Sequence, residues 1–297
     1  MDKNNEFSGF VTLIGEPNAG KSTLINTIFK KKIVITSFKA QTTRNFIRCV
    51  FVYKNKFQFI FIDTPGVHKG GSKENELMGK EVNKAIKDVD LIYFLCPCNC
   101  KFDERTTNIL NFLKKLKNDI FLLITKSDLL KEPELLIFKN KVLSFFKEIN
   151  FKEVFFISCV NELNTDHLLE TSTAYLKNPF FFYEKEQEVL TSSNFQISEL
   201  IRETIFEHLR CEIPYDSIVL VDLIKKNEEK NMLIIYVSIL LKKNSQKIIF
   251  IGKNGENIKK IGMISRQKIE NLLGQKVYLQ LHVKPTKHWI SNFLSIN

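Results

Sequence analysis

GEPNAGKS, residues 15–22, is the stretch of sequence from which the rest of the fold follows. It matches the pattern GxxxxGK[ST] at every fixed position. An apolar run over residues 10–14 precedes it, and residues 22–29 follow with apolar side chains on one helical face: Leu24, Ile25 and Ile28. A strand, a glycine-containing turn and a helix in this order predict a phosphate-binding loop in an α/β sheet.

The residue types in this loop suit the binding of a nucleotide and Mg²⁺. Gly15 and Gly20 let the backbone curl, so that its N–H groups and the helix N-terminus point at phosphate oxygens. Lys21 reaches the β- and γ-phosphates, and Ser22 offers its hydroxyl to Mg²⁺. We therefore predict a catalytic role for Lys21 and a nucleotide contact for Gly15, Asn18, Ala19, Gly20, Lys21, Ser22 and Thr23.

Composition restricts the class of protein. The chain has 297 residues, 44 of them Lys or Arg and 33 Asp or Glu, which gives a net charge of +11. This length allows two domains. No apolar run approaches the length of a membrane span, and residues 1–6 resemble neither a signal peptide nor a transit peptide. We expect a cytoplasmic protein.

The charge is unevenly distributed. Residues 1–178 carry 27 basic and 20 acidic side chains, residues 179–241 carry 6 and 11, and residues 242–297 carry 11 and 2, so the balances are +7, −5 and +9. A basic C-terminal end indicates a polyanionic partner. The abundance of Lys, Asn, Ile and Phe also fits drift toward AT-rich codons, so charge alone does not decide the partner.

A polar stretch after the first helix, residues 37–44, lies where a nucleotide-sensing loop belongs. A threonine hydroxyl there completes the Mg²⁺ shell and holds the loop against the γ-phosphate. Thr43 is the predicted residue, with Thr42 second. The predicted metal ligands are Ser22, Thr43 and Asp63.

A predicted hairpin over residues 47–62 ends in DTPG, residues 63–66. Asp63 holds Mg²⁺ through water, and Gly66 turns its N–H toward the γ-phosphate, which gives it a predicted catalytic role. Val67 follows, where many small GTPases carry the glutamine that orients water. Because valine cannot hydrogen-bond to water, we expect slow unstimulated turnover, on the order of 10⁻⁴ to 10⁻² s⁻¹.

The sequence TKSD, residues 125–128, is the predicted base-recognition motif. Asp128 accepts hydrogen bonds from guanine N1–H and N2–H₂, which adenine cannot supply. Lys126 lays its stem over the base. Thr125 stands where the motif usually has Asn, so we expect it to tie this loop to the phosphate loop while guanine affinity is somewhat weaker.

Further strands and helices complete an α/β domain. Apolar runs at residues 91–95, 120–124 and 154–157 predict strands, and a helix is predicted with Ile109, Phe112, Leu113 and Leu116 on one face. The last strand leads to Ser158 and Cys159, where a backbone N–H recognises guanine O6. This alternation predicts a doubly wound P-loop domain over residues 1–178.

Six cysteines are present, three of them as Cys96, Cys98 and Cys100. One hypothesis is a metal or redox cluster. A closed zinc site needs four ligands, usually in two separated pairs, and no second pair lies nearby. We favour the other hypothesis, in which small side chains fill a loop in a reducing compartment.

The C-terminal part predicts a second, smaller α+β domain. Residues 179–194 have the composition of a linker. Residues 195–297 then order as helix, two strands, two helices and a strand, with GKNG at residues 252–255 between the two helices. This order is that of a KH domain of the prokaryotic type.

A GKNG loop suits single-stranded RNA. Its glycines let the sugar–phosphate backbone approach, Lys253 supplies charge, and such a loop clamps about four unpaired nucleotides beside an apolar groove. The predicted RNA-binding residues are Ile251, Gly252, Lys253, Asn254, Gly255 and Lys259. The alternative is an ordinary helix–turn–helix with solvated lysines.

Taken together, the phosphate loop, KAQTTR (39–44), DTPG, TKSD and the IGKNG segment (251–255) resemble the Era family of bacterial GTPases, over about residues 8–292. The resemblance implies a monomer that binds GTP or GDP with Mg²⁺, binds the 3′ end of 16S ribosomal RNA and assists 30S subunit maturation. Departures are Thr125, Ala19 and a short tail after Trp289.

The resemblance also implies that K⁺ takes part, held by the asparagine that corresponds to Asn18. It leaves open a peripheral contact with the inner face of the cell membrane. An alternative function is an RNA-binding chaperone with an eroded, largely non-hydrolysing nucleotide site. The intact Lys21, Ser22, Asp63 and Asp128 argue for the GTP-hydrolysing switch.

Overall fold

The computed structural model describes residues 6–31, 33–34, 47–63, 86, 89–185 and 192–286, without the side chains of Ile47 and Asp63. The chain divides into two compact units, residues 1–190 and residues 191–297. Each unit has its own sheet and its own hydrophobic core, so each is described separately below.

The first unit is built on a six-stranded sheet with the order β2-β3-β1-β4-β5-β6. Strand β2 is antiparallel to β3, as in the predicted hairpin, and the other neighbours are parallel. The strands are β1 (Phe7–Gly15), β2 (Ile47–Tyr53), β3 (Phe57–Asp63), β4 (Leu91–Pro97), β5 (Asp119–Thr125) and β6 (Phe151–Ile157). The described helices are α1 (Lys21–Phe29), α2 (Glu104–Leu113), α3 (Glu132–Phe145) and α4 (Thr165–Ser172).

Aromatic rings fill one face of this sheet. Phe59, Phe61, Tyr93 and Phe121 are fully buried, and the centroids of Tyr93 and Phe121 are 6.1 Å apart in a stacked arrangement. The buried Tyr93 hydroxyl forms a hydrogen bond with Ser172 Oγ at 2.7 Å. Because close-packed rings resist displacement, the strand ends that carry the site residues stand on a rigid support.

The structure refines three details of the predicted first unit. Helix α2 ends at Leu113, yet Leu116 still packs against the core from the following turn. Helix α3 was not predicted, because Leu136 and Ile137 are exposed and blur its apolar periodicity. The first part of the predicted linker belongs to this unit, since Gln58 Nε2 donates to the Tyr183 carbonyl at 2.8 Å.

The second unit packs its helices on one face of a three-stranded sheet with the order β7-β8-β9. Strand β7 is antiparallel to β8, and β9 is parallel to it. The elements are α5 (Ser193–His208), β7 (Ser217–Asn227), β8 (Met232–Leu241), α6 (Asn244–Ile251), α7 (Glu256–Leu273) and β9 (Val277–Pro285). The order matches the predicted KH domain, although α5 begins at Ser193, where the Ser192 hydroxyl accepts from the Phe195 N–H at 3.2 Å.

Ion pairs stabilise one long helix of the second unit and join it to the other. Arg202 donates to both carboxylate oxygens of Glu199 at 2.7 Å within α5. Lys268 of α7 donates to Glu203 at 3.1 Å and to Glu207 at 2.9 Å, both on α5. Since α7 begins directly after the GKNG loop, these contacts hold the helix that carries the loop.

Candidate nucleotide site and RNA-binding loop

The phosphate loop has a backbone that only glycine and a few other residues adopt. Gly20 has φ = 101°, and Asn18 has φ = 62° in the left-handed region. Gly15 is required for a different reason, because a Cβ atom there would lie 2.7 Å from the Leu95 carbonyl oxygen of β4. Both glycines of the motif are therefore fixed by geometry that can be measured in this chain.

The lysine of the loop is held against the loop's own backbone. Lys21 is only 8% exposed, and its ammonium donates to the carbonyl oxygens of Gly15 and Glu16, each at 3.0 Å. These bonds place a positive charge inside the curl of the loop, at the start of α1. A phosphate group bound in the curl would meet this charge and the N-terminus of α1 together.

The base-recognition motif is tied to the phosphate loop by a buried hydrogen bond. The Thr125 hydroxyl, at the end of β5, donates to the Ala19 carbonyl at 2.7 Å. The Thr125 carbonyl in turn accepts from the Cys98 N–H after β4, at 2.9 Å. Thr125 thus makes the expected tie with a single hydroxyl, and through it the ends of β4 and β5 are joined to the phosphate loop.

The carboxylate of Asp128 is oriented by a neighbouring loop. Ser158 Oγ donates to Asp128 Oδ1 at 2.6 Å, and Ser158 Oγ itself accepts from the Asn161 N–H at 3.2 Å. Asp128 itself is exposed in a short 3₁₀ turn, and Lys126 before it has φ = 57°. From its position in the sequence, Ser158 was predicted only to lie near a backbone contact with guanine. Its side-chain bond to Asp128 was not predicted, because residues 30 positions apart give no local signal.

Cys159 lies beside the first helix. Burial raises the pKa of its thiol, and a hydrogen bond with the Thr27 side chain opposes that rise. A protonated, half-buried thiol is a small neutral side chain, as predicted for this loop position.

The predicted Mg²⁺ ligands are described only in part. Thr43 and the side chain of Asp63 lie outside the described residues, so Ser22 at the start of α1 is the described member of the set. Gly66, which was predicted to be catalytic, also lies outside them. Among the residues that the structure describes, no cluster of three or more His, Cys, Asp or Glu side chains could hold a metal ion.

The polar side chains of the GKNG loop are exposed, whereas the lysine of the phosphate loop is buried. Gly252 and Gly255 have φ = 76° and 78°, and a Cβ atom on Gly252 would lie 2.8 Å from the Asn257 side chain. That side chain is fixed because it donates to the Ile249 carbonyl at 2.9 Å. The polar side chains of the loop and of the first turn of α7 are exposed: Lys253, Asn254 and Lys259.

Exposed apolar side chains lie on the helices that flank this loop. Ile248 on α6 is 76% exposed and Met263 on α7 is 65% exposed, and Ile249 is also exposed. Ile251, at the end of α6, is half-buried. Apolar surface beside a glycine-bounded loop is the expected companion of an RNA-backbone clamp, because unstacked bases need an apolar surface to lie on.

Together, the two units define a GTPase with a phosphate-binding loop, joined to a KH domain. The family described as 50S ribosome-binding GTPase matches residues 10–126, and the KH domain family matches residues 217–290. No helix in the described part of the chain has the length and apolar character to cross a membrane.

Relatives narrow this class to one family. GTPase Era of Geobacter metallireducens is 39% identical over 292 residues, which cover 97% of this chain and 96% of the relative. GTPase Era of Staphylococcus haemolyticus is 39% identical over 283 residues, which cover 95% and 93%. The chain belongs to the Era family of GTPases, as its motifs predicted.

Two solved structures are similar over 98% of both chains at 29% identity. One is a variant of Era from Aquifex aeolicus bound to GDP.AlF4-, with a TM-score of 0.90. The other is Era in complex with MgGDPNP and nucleotides 1506–1542 of 16S ribosomal RNA, with a TM-score of 0.91. The predicted fold class, a P-loop GTPase domain followed by a KH domain, is confirmed.

Proposed function

We propose that this GTPase is a slow switch that binds the 3′ end of 16S ribosomal RNA through its KH domain and assists maturation of the 30S subunit. The observation that carries the nucleotide part is the hydrogen bond from Thr125 to Ala19, because it fixes the base-recognition loop against the phosphate loop. A nucleotide can then be held at its base and at its phosphates by one rigid frame.

At the base, Asp128 accepts from guanine N1–H and N2–H₂, and its bond from Ser158 sets the direction of the carboxylate. Lys126 covers the ring, and Cys159 supplies a backbone N–H to guanine O6. Adenine would leave the carboxylate facing a hydrogen-bond acceptor and an empty position, which is strongly unfavourable once water is excluded.

At the phosphates, Lys21 and the N–H groups from Gly15 to Thr23 hold the β- and γ-phosphates. Ser22, Thr43 and Asp63 would hold Mg²⁺, which neutralises charge between the two phosphates. Gly66 turns its N–H toward the γ-phosphate. Val67 cannot orient water, so the unstimulated rate stays on the order of 10⁻⁴ to 10⁻² s⁻¹.

Potassium is the proposed additional cation. Asn18 is exposed in the phosphate loop and has a left-handed backbone conformation, with φ = 62°. An amide oxygen at this place would help to hold K⁺ beside the phosphates, where a second cation can stabilise the charge that develops in the transition state of a site without the glutamine.

The RNA part rests on the loop and on a relative. Ile251, Lys253, Asn254 and Lys259 surround the glycine-bounded turn, and residues 242–297 carry 11 basic and 2 acidic side chains. The similar Era structure holds MgGDPNP and nucleotides 1506–1542 of 16S ribosomal RNA. We propose the same RNA class here, for a monomer in the cytoplasm.

Phosphate release by the wild type and by Lys21→Ala, each in K⁺ and in Na⁺, tests the switch. We expect the variant to lose on the order of 10²-fold or more in rate, since a preorganised charge at the transferring phosphate is removed. Lys30→Ala, an exposed lysine at the end of α1, is the matched control. Equal rates in wild type and Lys21→Ala would favour the alternative, an RNA chaperone with an eroded site.

A further inference from the structure

A hydroxyl on α2 contacts the phosphate loop across 90 positions of the sequence. The Thr106 hydroxyl donates to Glu16 Oε1 at 2.8 Å, and the Lys101 carbonyl oxygen lies at the same distance from it. Thr106 is 1% exposed, so its hydroxyl has little access to water. Because a hydroxyl has one proton and a carboxylate is the stronger acceptor, Glu16 is its principal partner.

The backbone of Thr106 is fixed by the cap of its own helix. Asp103 Oδ1 accepts from the Arg105 N–H at 2.9 Å and from the Thr106 N–H at 3.3 Å. The Cys100 sulfur lies 3.8 Å from Glu16 Oε1 and 3.7 Å from Thr106 Oγ1, so it packs beside their bond. The hydroxyl is therefore held toward Glu16 by the capped first turn of a helix.

Glu16 also takes part in the contact that places the charge of the loop. Its backbone carbonyl accepts from the Lys21 ammonium at 3.0 Å. Thr106 thus holds the side chain of the residue whose backbone positions Lys21. The bond from Thr125 to the Ala19 carbonyl holds the loop at a second point, three residues further along the chain. The Thr106 bond holds the end of the loop that contacts the ammonium.

We propose that Thr106 is a positioning residue for GTP hydrolysis, which acts through Glu16 on the Lys21 ammonium. This inference rests on the proposed function, in which Lys21 contacts the β- and γ-phosphates. An ammonium that is already in place stabilises the charge of the transition state without a cost of reorganisation. GDP has no γ-phosphate, so its binding depends less on where the ammonium lies. Removing the Thr106 hydroxyl should therefore slow hydrolysis and leave GDP affinity nearly unchanged.

The test measures single-turnover GTP hydrolysis by the full chain, because this rate reports the chemical step without product release. Thr106→Val keeps the shape of the side chain and removes its hydroxyl, and we expect the rate to fall about fivefold, the scale of one hydrogen bond. GDP affinity, measured by fluorescence titration, should change by about twofold or less. Thr106→Ser keeps a hydroxyl and should recover most of the rate.

The same helix turn offers a matched control, Thr107→Val. Thr107 is exposed, and its hydroxyl donates to the Asp103 carbonyl at 3.1 Å, within α2 and its cap. The control makes the same chemical change one residue away, and we expect both the rate and the GDP affinity of the wild type.

A double-mutant cycle tests whether Thr106 acts through Glu16. Glu16→Ala alone should slow hydrolysis by the same factor, about fivefold. Thr106→Val should then cost nothing more in the Glu16→Ala protein. An equal further loss would show that the hydroxyl acts through Lys101 or through packing, and it would overturn the proposal. Glu16 is half-buried, so Glu16→Ala still gives the test if thermal unfolding shows that Thr106→Val is not folded. An unchanged rate in Glu16→Ala also overturns the proposal.

Two comparisons separate a positioning role from a structural one and from failure of the proposed function. If Thr106→Val lowers GDP affinity as much as it lowers the rate, the hydroxyl only supports the shape of the loop, and the positioning role is overturned. Lys21→Ala is measured alongside. A loss of rate in Lys21→Ala without one in Thr106→Val overturns this inference alone, whereas equal rates in Lys21→Ala and the wild type overturn the proposed function and this inference with it.

Discussion

The phosphate loop and the GKNG loop of this chain share a backbone feature and differ in how far their lysine side chains are buried. We call the nucleotide site that contains the phosphate loop the closed site and the GKNG loop the open loop. Each places a glycine with positive φ directly before a helix, Gly20 before α1 and Gly255 before α7. Each also contains a lysine, but Lys21 is buried against backbone carbonyls whereas Lys253 is exposed. Under the proposed function, the same backbone feature therefore serves two different kinds of ligand.

The difference follows from what each loop must hold. A mononucleotide offers few atoms, so its site must fix its own polar groups before binding, and the bonds Thr125–Ala19 and Ser158–Asp128 do so. A polynucleotide offers repeated phosphates and bases, so its loop needs access and charge more than internal order. Variants of the base-contacting residue in the nucleotide site should therefore change selectivity among nucleotides, whereas variants in the GKNG loop should change RNA affinity alone.

The sharpest test of the closed site is Asp128→Asn, which has the largest expected effect. The amide cannot accept from both guanine donors, so GTP affinity should fall on the order of 10²-fold. It can donate to the O2 of xanthine, so affinity for xanthosine triphosphate should rise. Competition titrations with the two nucleotides measure both changes. Asp166→Asn, in the first turn of α4, is the control and should bind GTP normally.

The open loop is tested by charge reversal that leaves its glycines intact. The double variant Lys253→Asp, Asn254→Asp places two carboxylates where phosphates approach, and RNA affinity should fall by a few tens of fold at moderate salt. Titration with a single-stranded RNA of the 16S 3′ end measures the loss, and GTP affinity should stay unchanged.

The chain offers a matched control for this variant. Lys230 and Asn231 form a second Lys–Asn pair in the β7–β8 turn, and Asn231 has φ = 43°, close to the 52° of Asn254. The double variant Lys230→Asp, Asn231→Asp therefore makes the same charge change on the same unit. An equal loss of RNA affinity in both double variants would show that net charge binds the RNA, and the loop would lose its assignment.

How far the sequence predicts these sites depends on the distance between partners. Spacing within one short segment predicted the phosphate loop, TKSD and GKNG, because the chemistry of each needs neighbouring residues. Contacts between segments were predicted only where a motif implied them, as for Thr125. The bonds Ser158–Asp128 and Thr106–Glu16 join side chains 30 and 90 residues apart, and nothing in either segment marks them.

The tie between the two halves of the nucleotide site is tested by Thr125→Val, which keeps the shape of the side chain and removes its hydroxyl. The buried Ala19 carbonyl then loses its donor, and GTP affinity should fall by about tenfold. Thr125→Ser keeps a hydroxyl and should bind nearly as well as the wild type. Thr125→Asn should bind guanine nucleotides a few fold more tightly, and weaker binding by this variant would contradict the cost assigned to threonine.

The smallest expected effect concerns the support of the open loop. Lys268→Met removes the partner of Glu203, which is 1% exposed, while Lys268 itself is 25% exposed. The cost should lie between that of a surface pair and that of a fully buried one, about 1 kcal/mol. Amide hydrogen exchange in α7 should then quicken by about fivefold. Lys260→Met, at an exposed position of the same helix, should leave exchange unchanged.

The pH dependence gives this last prediction its sign. Burial alone would lower the pKa of the Lys268 ammonium, but hydrogen bonds to Glu207 and Glu203 outweigh it and raise the pKa above the usual 10.5. A group with a raised folded pKa contributes its stability below the unfolded pKa and loses it as pH rises through the folded value. The difference between wild type and Lys268→Met should therefore be constant near neutral pH and shrink above about pH 10.5. A difference that grows with pH in that range would mean that the ammonium is not what holds α7 to α5, and the frame of the open loop would then be packing alone.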